Sequence, residues 1–360
     1  MKRIYIIAGE PSGELLGAGI IEKLRQAGIE IFGVGGDLMQ TQGLHSLFNI
    51  NEISVGGIFE VIPHLIRIRQ LIKNTVEDII EKQPEVLLTI DSPGFCFRVA
   101  KIVKKLNPKI NIVHLVAPSV WAWRSNRAKR MVKFCDHLLT LFEFEPPFFT
   151  KYGLKATFVG HPSIEIFTES GNKKKTNTLL ILPGSRSQEI KSLLPIFLKS
   201  SEMLNFKNIV IPTLPHLESL VRSIIGDRKI EITANENKKL ELFKSAKCAI
   251  VASGTATLQL ALSGCPMVVC YRLSPLSYRI VKSLIKVKFI SLVNLISNHS
   301  IVPELIQSDC NPEKIAQAIK NLNFKEQTNS FRGLRSKLRA GSQNPTDAIA
   351  IILKNLMKRK

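Results

Sequence analysis

The chain has 360 residues, 45% of them hydrophobic, which is long for one core, so two units of roughly 150 to 180 residues are expected. Lys and Arg total 50 against 29 Asp and Glu, a formal net charge of +21. That excess favours an anionic partner such as nucleic acid, an anionic membrane surface or a phosphorylated substrate, or else simply keeps the chain soluble. Six cysteines, at 96, 135, 248, 265, 270 and 310, are irregularly spaced, which suggests neither a disulfide framework nor a zinc site and fits a reducing cytoplasm.

In chain order, the opening MKRIYIIAGEPSGE carries an apolar run of only about five residues, too short for a signal peptide or a spanning helix, so no membrane crossing is expected. The run at 3–8 meets the turn Gly9-Glu10-Pro11-Ser12-Gly13, and a helical pattern follows at 14–27. A second run at 31–34 ends in Gly35-Gly36. Short apolar runs alternating with helices predict an α/β fold with parallel, doubly wound sheets. Neither a G-x-G-x-x-G fingerprint after the first strand nor a G-x-x-x-x-G-K-[ST] loop is present, which argues against a dinucleotide enzyme and a P-loop NTPase.

Residues 58–80 form an apolar helical pattern with Arg67, Arg69 and Lys73 interspersed. It suits a membrane interface or an ordinary half-buried helix of the sheet layer. If it docks, replacing Ile66 and Ile68 with Glu should release the protein from anionic vesicles. EVLLTID at 85–91 is a buried-type strand ending in an acid, where open α/β sheets gather ligands. Asp91 is therefore either a general base or the N-cap of the next helix. A strand at 111–115 runs into APSVWAWR at 117–124, whose two tryptophans and neighbouring cations suit a sugar, an acyl chain or a nucleic acid, or pack a corner. His161, after FVG, either titrates near a phosphate or is structural. The polar stretch ESGNKKKTN at 169–177 reads as a linker.

The second half repeats the pattern. A strand at 178–182 ends in Pro183-Gly184-Ser185-Arg186 before a helix, and another at 248–252 ends in Ser253-Gly254-Thr255 before a helix. Each turn aims helix N-terminal amides at one point, and Arg186 adds a planar fork suited to phosphate. Both turns follow strands of one sheet, so they can face one diphosphate. Residues 276–296 are apolar with Arg279, Lys282, Lys286 and Lys288, too charged to span a bilayer but able to lie on one. Val302 to Leu305 is expected to start a helical tail, Asn311-Pro312-Glu313 is a helix start, 323–344 is expected at the surface, and 347–360 is an amphipathic final helix.

Taken together, the stretches AGEPSGELLGAG (8–19), TIDSPGF (89–95), APSVWAWR (117–124), FVGHP (158–162), LPGSR (182–186), SGTATLQL (253–260), CPMVVCYR (265–272) and SLVNLI (291–296) resemble the lipid-A-disaccharide synthase family, glycosyltransferase family 19, over nearly the whole chain. The resemblance implies a GT-B architecture, two Rossmann-like domains with the active site in the cleft between them. The division expected is 1–168 on the acceptor side, a linker at 169–177, a UDP-sugar domain at 178–330 and a tail at 331–360. It also implies an inverting reaction, in which UDP-2,3-diacylglucosamine donates its sugar to 2,3-diacylglucosamine 1-phosphate, giving the β-1,6 disaccharide 1-phosphate and UDP. Asp91 matches the family's acid and is assigned the general base, and the sharing of its proton work is open among Glu14, Glu10 and His161. Gly184, Ser185, Arg186 and the turn Ser253, Gly254, Thr255, Ala256 would hold the diphosphate, with Gln259 and Asn294 beside the donor. The front turn, Glu10 to Glu14, and Ser119 to Arg124 would line the acceptor side.

No metal or other cofactor is implied, and no Asp-x-Asp motif appears. Two positions depart from the family pattern: Gln259 stands where an acid commonly grips the ribose, and Glu14 where Asp is more usual. Acyl-bearing substrates bring the enzyme to the cytoplasmic leaflet of the inner membrane, which favours docking by one of the basic apolar segments. A homodimer is the family's expectation, and nucleic acid is not expected as a partner, since the cations are spread over both halves without a recognised binding module. The rivals are another GT-B enzyme, such as a UDP-N-acetylglucosamine transferase or a nonhydrolysing epimerase, a basic nucleic-acid-binding protein, and a noncatalytic lipid-surface adaptor.

Overall fold

The strand-forming runs are buried on both faces, as parallel strands covered by helices must be: Val86–Ile90, Thr178–Leu182 and Cys248–Ala252 are buried at every position. The computed structural model describes residues 2–53, 65–120, 126–167, 175–274, 278 and 288–358. Its strands are β1 Arg3–Ala8, β2 Glu30–Val34, β3 Val86–Ile90, β4 Asn111–Leu115, β5 His137–Thr140, β6 Lys155–Phe158, β7 Thr178–Leu182, β8 Asn208–Pro212, β9 Glu231–Thr233, β10 Cys248–Ala252, β11 Met267–Tyr271 and β12 Glu304–Ile306. The described helices are α1 Pro11–Arg25, α2 Asp37–Thr41, α3 Leu65–Lys82, α4 Pro93–Leu106, α5 Asn126–Met131, α6 Pro147–Thr150, α7 Ser163–Ile166 and α8 Ser187–Glu202. They continue with α9 Glu218–Ile225, α10 Glu236–Ser245, α11 Thr255–Leu262, α12 Leu292–Ser297, α13 Pro312–Lys320, α14 Phe324–Lys337 and α15 Pro345–Leu356.

Two six-stranded sheets result, each with every described pairing parallel. The first has the order β2-β1-β3-β4-β5-β6, so the winding direction reverses between β1 and β3, which pair in register through Ile7 with Thr89 and Ala8 with Ile90. The second reads β9-β8-β7-β10-β11-β12, with the reversal between β7 and β10, where Leu182 lies opposite Val251. At such a reversal the following helices leave to opposite faces, and the space beyond the strands' carboxyl ends stays open for a ligand.

The chain divides into two compact units, residues 1–162 with 338–360, and residues 163–337. This differs from the sequence-based division at both ends. The short helix α7 belongs to the second unit, and of the expected linker only 175–177 is described. There Lys175 Nζ donates to the carbonyls of Lys244 and Gly264, both at 3.0 Å, tying that end to the second unit. The end of the chain is not a tail. Helix α15 buries Ile349, Ala350, Leu353 and Met357 in the first unit's core, while Lys23 of α1 pairs with Asp347 at 3.0 Å.

The expected surface stretch at 323–344 instead contains α14, with Gln327, Phe331 and Leu334 buried. The Gln327 Oε1 accepts from the Met267 N–H at 2.6 Å, so a polar residue is buried because it satisfies the start of β11. The expected helix at 302–305 is strand β12, and its Glu304 is used inside the second unit rather than at a helix start. Asn311 caps α13 as its sequence predicts, accepting from the Lys314 N–H at 2.9 Å with Pro312 in the first turn. Residues 58–64 of the first amphipathic pattern, and 276–277 and 279–287 of the second, lie outside the described residues, as do 121–125 with both tryptophans and Arg124. All six cysteines are buried free thiols.

Candidate functional site

The first unit places its site residues at the reversal of its sheet. Turn 9–10 leaves β1, turn 91–92 leaves the adjacent β3, and two glycines let the two turns close up. A Cβ on Gly9 would fall 2.3 Å from the Ser92 Cβ, and one on Gly13 would lie 3.3 Å from Ile90 Cγ2, so α1 begins directly against the end of β3. The backbone bends sharply where chemistry is expected: Asp91 has φ +52° and Ser92 φ +43°, both left-handed, and neither is glycine. Such residues cost on the order of 1 to 3 kcal/mol each and persist where the surroundings over-determine them.

The capping alternative for Asp91 does not hold. The N-cap of α4 is Ser92, which makes no side-chain cap bond, and Asp91 Oδ1 accepts from the adjacent Ser92 N–H at 2.8 Å. Its carboxylate is half-buried at the rim of the sheet. Glu10 occupies the N-cap position of α1 without capping through its side chain, and it too is half-buried. Burial pushes the Cys96 thiol up, and the Asp91 and Glu10 carboxylates add to the shift, which puts both acids within electrostatic reach of one buried sulfur.

Glu14 faces elsewhere. Its Oε1 accepts from the Leu38 N–H at 2.6 Å, capping α2, and its carboxylate lies where a Cβ on Gly36 would be, 2.5 Å away. Gly36 follows β2 and Asp91 follows β3, on opposite sides of β1. Glu14 therefore joins the first helix to the second turn, while Asp91 and Glu10 stand at the reversal itself.

In the second unit both expected diphosphate turns meet at the β7/β10 reversal. Gly184 has φ +118°, a conformation that favours glycine, and the space a side chain would take is filled by Glu189, whose Oε2 lies 2.3 Å from the ideal Cβ. Glu189 Oε2 accepts from the Ser185 N–H at 3.1 Å and Oε1 from Arg186 Nη1 at 3.2 Å. On the neighbouring strand, Gly254 has an extended backbone and nothing within 4 Å of an added Cβ, so glycine there leaves open space over the start of α11. Gly254 and Thr255 are exposed and Ala256 half-buried; in the first turn of α11 the Thr257 amide bonds the Gly254 carbonyl at 3.1 Å, while the Thr255 and Ala256 amides precede any carbonyl their helix offers. Gln259, one turn on from Thr255, is half-buried, and its amide makes no hydrogen bond among the described residues.

Two expected donor contacts have other work. Ser253 Oγ donates to the Ile290 carbonyl at 2.9 Å, and its N–H to the Cys270 carbonyl at 3.2 Å. Asn294 is 0% exposed: Nδ2 donates to the Val302 carbonyl at 2.9 Å and to Glu304 Oε1 at 2.8 Å, while Oδ1 accepts from Ile301 and Val302 N–H at 2.8 and 3.0 Å. That uses the whole capacity of the amide. Glu304 in turn accepts from the Ile290 and Ser291 N–H groups, both at 2.9 Å. Asn294 therefore reaches the β10 turn through Glu304, the 290–291 backbone and Ser253.

Three residues went unremarked in the sequence. Glu189 and Glu304 are half-buried and are known only by the bonds just given. Tyr271 ends β11 on the other side of β10 from Arg186, and burial raises its phenol, with Glu189 adding and Arg186 opposing. Its interaction with that pair spans the carboxyl end of β10. The one available sequence signal was the spacing Ser185-x-x-x-Glu189, an acid at the third helical position after a turn.

His161 is structural in its surroundings: 7% exposed, its ring 5.5 Å from Phe142, its N–H bonded to the Leu338 carbonyl at 2.9 Å, and its pKa lowered by burial to about 4.

A family model described as lipid-A-disaccharide synthetase matches residues 4–349. A lipid-A-disaccharide synthase of Rhodospirillum centenum is 37% identical over 338 residues, covering 89% of this chain and 84% of its own. One of Rickettsia bellii is 40% identical over 339 residues, covering 89% of each chain. Among solved structures, the UDP-GlcNAc 2-epimerase of Methanocaldococcus jannaschii, in complex with UDP-GlcNAc and UDP, aligns with a TM-score of 0.65 at 16% identity over 99% of this chain and 100% of its own. MurG of Acinetobacter baumannii aligns with a TM-score of 0.58 at 12% identity over 99% and 100%. At those identities the structural likeness establishes the GT-B fold, with its two Rossmann-like domains, and nothing of activity.

Proposed function

The chain belongs to the lipid-A-disaccharide synthetase family of glycosyltransferases, and from that premise we propose that it transfers 2,3-diacylglucosamine from UDP-2,3-diacylglucosamine to the 6-hydroxyl of 2,3-diacylglucosamine 1-phosphate with inversion. Asp91 takes the proton of the 6-hydroxyl as its oxygen forms the bond to the donor C1. The bond from C1 to the phosphate oxygen breaks, and UDP leaves. Arg186, the Ser185 N–H and the first-turn amides of α11 take up the charge that develops on the diphosphate. The observation that carries this reading is the placement of both sets of residues at the reversals of their own sheets, with Asp91 held in a left-handed conformation and not engaged as a cap.

The peripheral reading of the membrane question has support in the first unit. No helix of the described residues is long and apolar enough to cross a membrane. Ile66 is 83% exposed on α3, and a groove of about 750 Å³ between α3 and α4 has Ile72, Val76, Ile102 and Leu106 among its lining with Arg69, Lys73, Arg98 and Lys101. Neither Arg69 nor Arg98 has an ion pair or hydrogen bond among the described residues. Glu77, which pairs with Lys73 at 3.7 Å, is the one acid among the described lining residues, and an apolar floor with an excess of cations around it suits the cytoplasmic leaflet of the inner membrane, where acyl-bearing substrates reside.

The test is UDP release from purified protein given donor, with and without acceptor, beside Asp91→Ala. Acceptor-dependent release, lowered about 10²- to 10⁴-fold by the substitution while UDP binding persists, is the expected result. Full activity of the variant would move the base elsewhere, with Glu10 next.

A further inference from the structure

Glu189 holds the two donors that the proposed function gives to the diphosphate. Its carboxylate accepts from the Ser185 N–H at 3.1 Å and from Arg186 Nη1 at 3.2 Å, and it fills the space beside Gly184. The two partners differ in freedom: the Glu189 side chain is 17% exposed and that of Arg186 63% exposed. The carboxylate is fixed by its place in the first turn of α8, whereas the arginine lies largely in solvent and can swing. A mostly exposed pair of this kind biases its arginine only by a few-fold, so a doubly charged diphosphate can take Arg186 away from it.

We propose that Glu189 is a positioning residue that stands in for the diphosphate: it keeps Arg186 and the Ser185 amide aimed at the donor site and competes with UDP for Arg186, so that product leaves. This rests on the donor-site reading above. The competition follows from charge and geometry. Both anions need the same guanidinium, and a carboxylate left within hydrogen-bond distance of the diphosphate-binding amide repels the bound product.

A purely structural role predicts the opposite sign. As an acid at the third position of α8, Glu189 supports the helix start, and a residue valued only for that support would weaken UDP binding when changed. Glu189→Gln separates the two, because its amide oxygen still accepts from the Ser185 N–H while the charge that attracts Arg186 is gone.

The experiment is calorimetric binding of UDP, inorganic pyrophosphate and uridine to wild type, Glu189→Gln, Glu189→Asp, Arg186→Ala and the Arg186→Ala/Glu189→Gln pair. Glu189→Gln is expected to tighten UDP and pyrophosphate about 3- to 10-fold and leave uridine unchanged. Glu189→Asp, which keeps the charge, stays within about twofold of wild type, and the Gln change has a smaller effect once Arg186 is gone, because only the repulsion at the Ser185 amide is then relieved. Weaker or unaltered UDP binding in Glu189→Gln, with Arg186→Ala weakening UDP as the donor site requires, overturns the role of Glu189 alone. An Arg186→Ala variant that binds UDP like wild type overturns the donor site and this inference with it.

Discussion

Gly9 and Ser92 meet where β1 and β3 end, so closely that a Cβ on Gly9 would sit 2.3 Å from the Ser92 Cβ and 2.5 Å from its Oγ. Ser92 is itself left-handed and follows Asp91, so the glycine fixes the room in which the proposed base is held. Gly9→Ala must push the 91–92 turn away. It is expected to cost about 1 to 3 kcal/mol in urea unfolding and to lower turnover more than UDP affinity. An alanine variant with unchanged stability and rate would mean that the turn yields freely.

The buried amide of Asn294 gives a second prediction. Asn294→Ala takes one of the partners of the Glu304 carboxylate and strips the Val302 N–H and carbonyl of the amide that pairs them, which on ordinary figures costs about 2 to 4 kcal/mol. Its effect on UDP should follow from loosening of the 290–291 backbone and Ser253, so stability falls and UDP binding weakens together. A large loss of UDP affinity at wild-type stability would point instead to direct contact with the donor.

Ile66 and Ile68 part company although both lie in one basic, apolar pattern. Ile66 is 83% exposed, whereas Ile68 is 9% exposed and belongs to the core. Ile66→Glu is expected to reduce sedimentation with anionic vesicles at an unchanged melting temperature. Ile68→Glu buries an unpaired charge and should lower stability by several kcal/mol, about 3 or more, so the double replacement is uninformative about docking. Vesicle binding that survives Ile66→Glu removes this side chain from the surface that docks.

Buried histidines set the acid limit. Burial lowers His114 to about 3, and His137 and His161 to about 4. Each is neutral in the folded chain at pH 5, whereas in the unfolded chain it takes a proton near 6.5. Stability is therefore fully present above about pH 6.5, declines as the pH falls towards 4, and stops declining from this cause once the folded histidines protonate. One histidine shifted from 6.5 to about 4 contributes roughly 3 kcal/mol over that window. A urea midpoint that stays level from pH 7 to 4.5 would contradict it, and His161→Gln should make the decline shallower.

The turns were legible because each is marked locally. An apolar run, then small or bent residues, then a helix start is a pattern within ten residues, and PGSR and SGTA carry it in adjacent strands. What lay beyond the sequence was how side chains are used across distance. Asn294 matched a motif, yet only Glu304, 10 positions on, shows that its amide is already saturated. Glu14 looked like an acid of the same site as Asp91 until Gly36 and Leu38, brought near by β2, claimed it. The expected division of the chain differs from its compact units for the same reason. A polar run such as 169–177 resembles a boundary wherever it occurs, whereas the docking of α15 on α1 depends on an apolar face that any globular unit could have buried.

That docking fixes an order of assembly. A ribosome makes β1 and α1 before the second unit and α15 after it, so the first core waits for residues 163–337 before its closing helix emerges. The second unit, whose strands and helices all come from one uninterrupted stretch, is complete while the first is still short of its last piece. Loss of α15, by a frameshift or by a protease, would open the core that β1 and α1 begin and spare the middle.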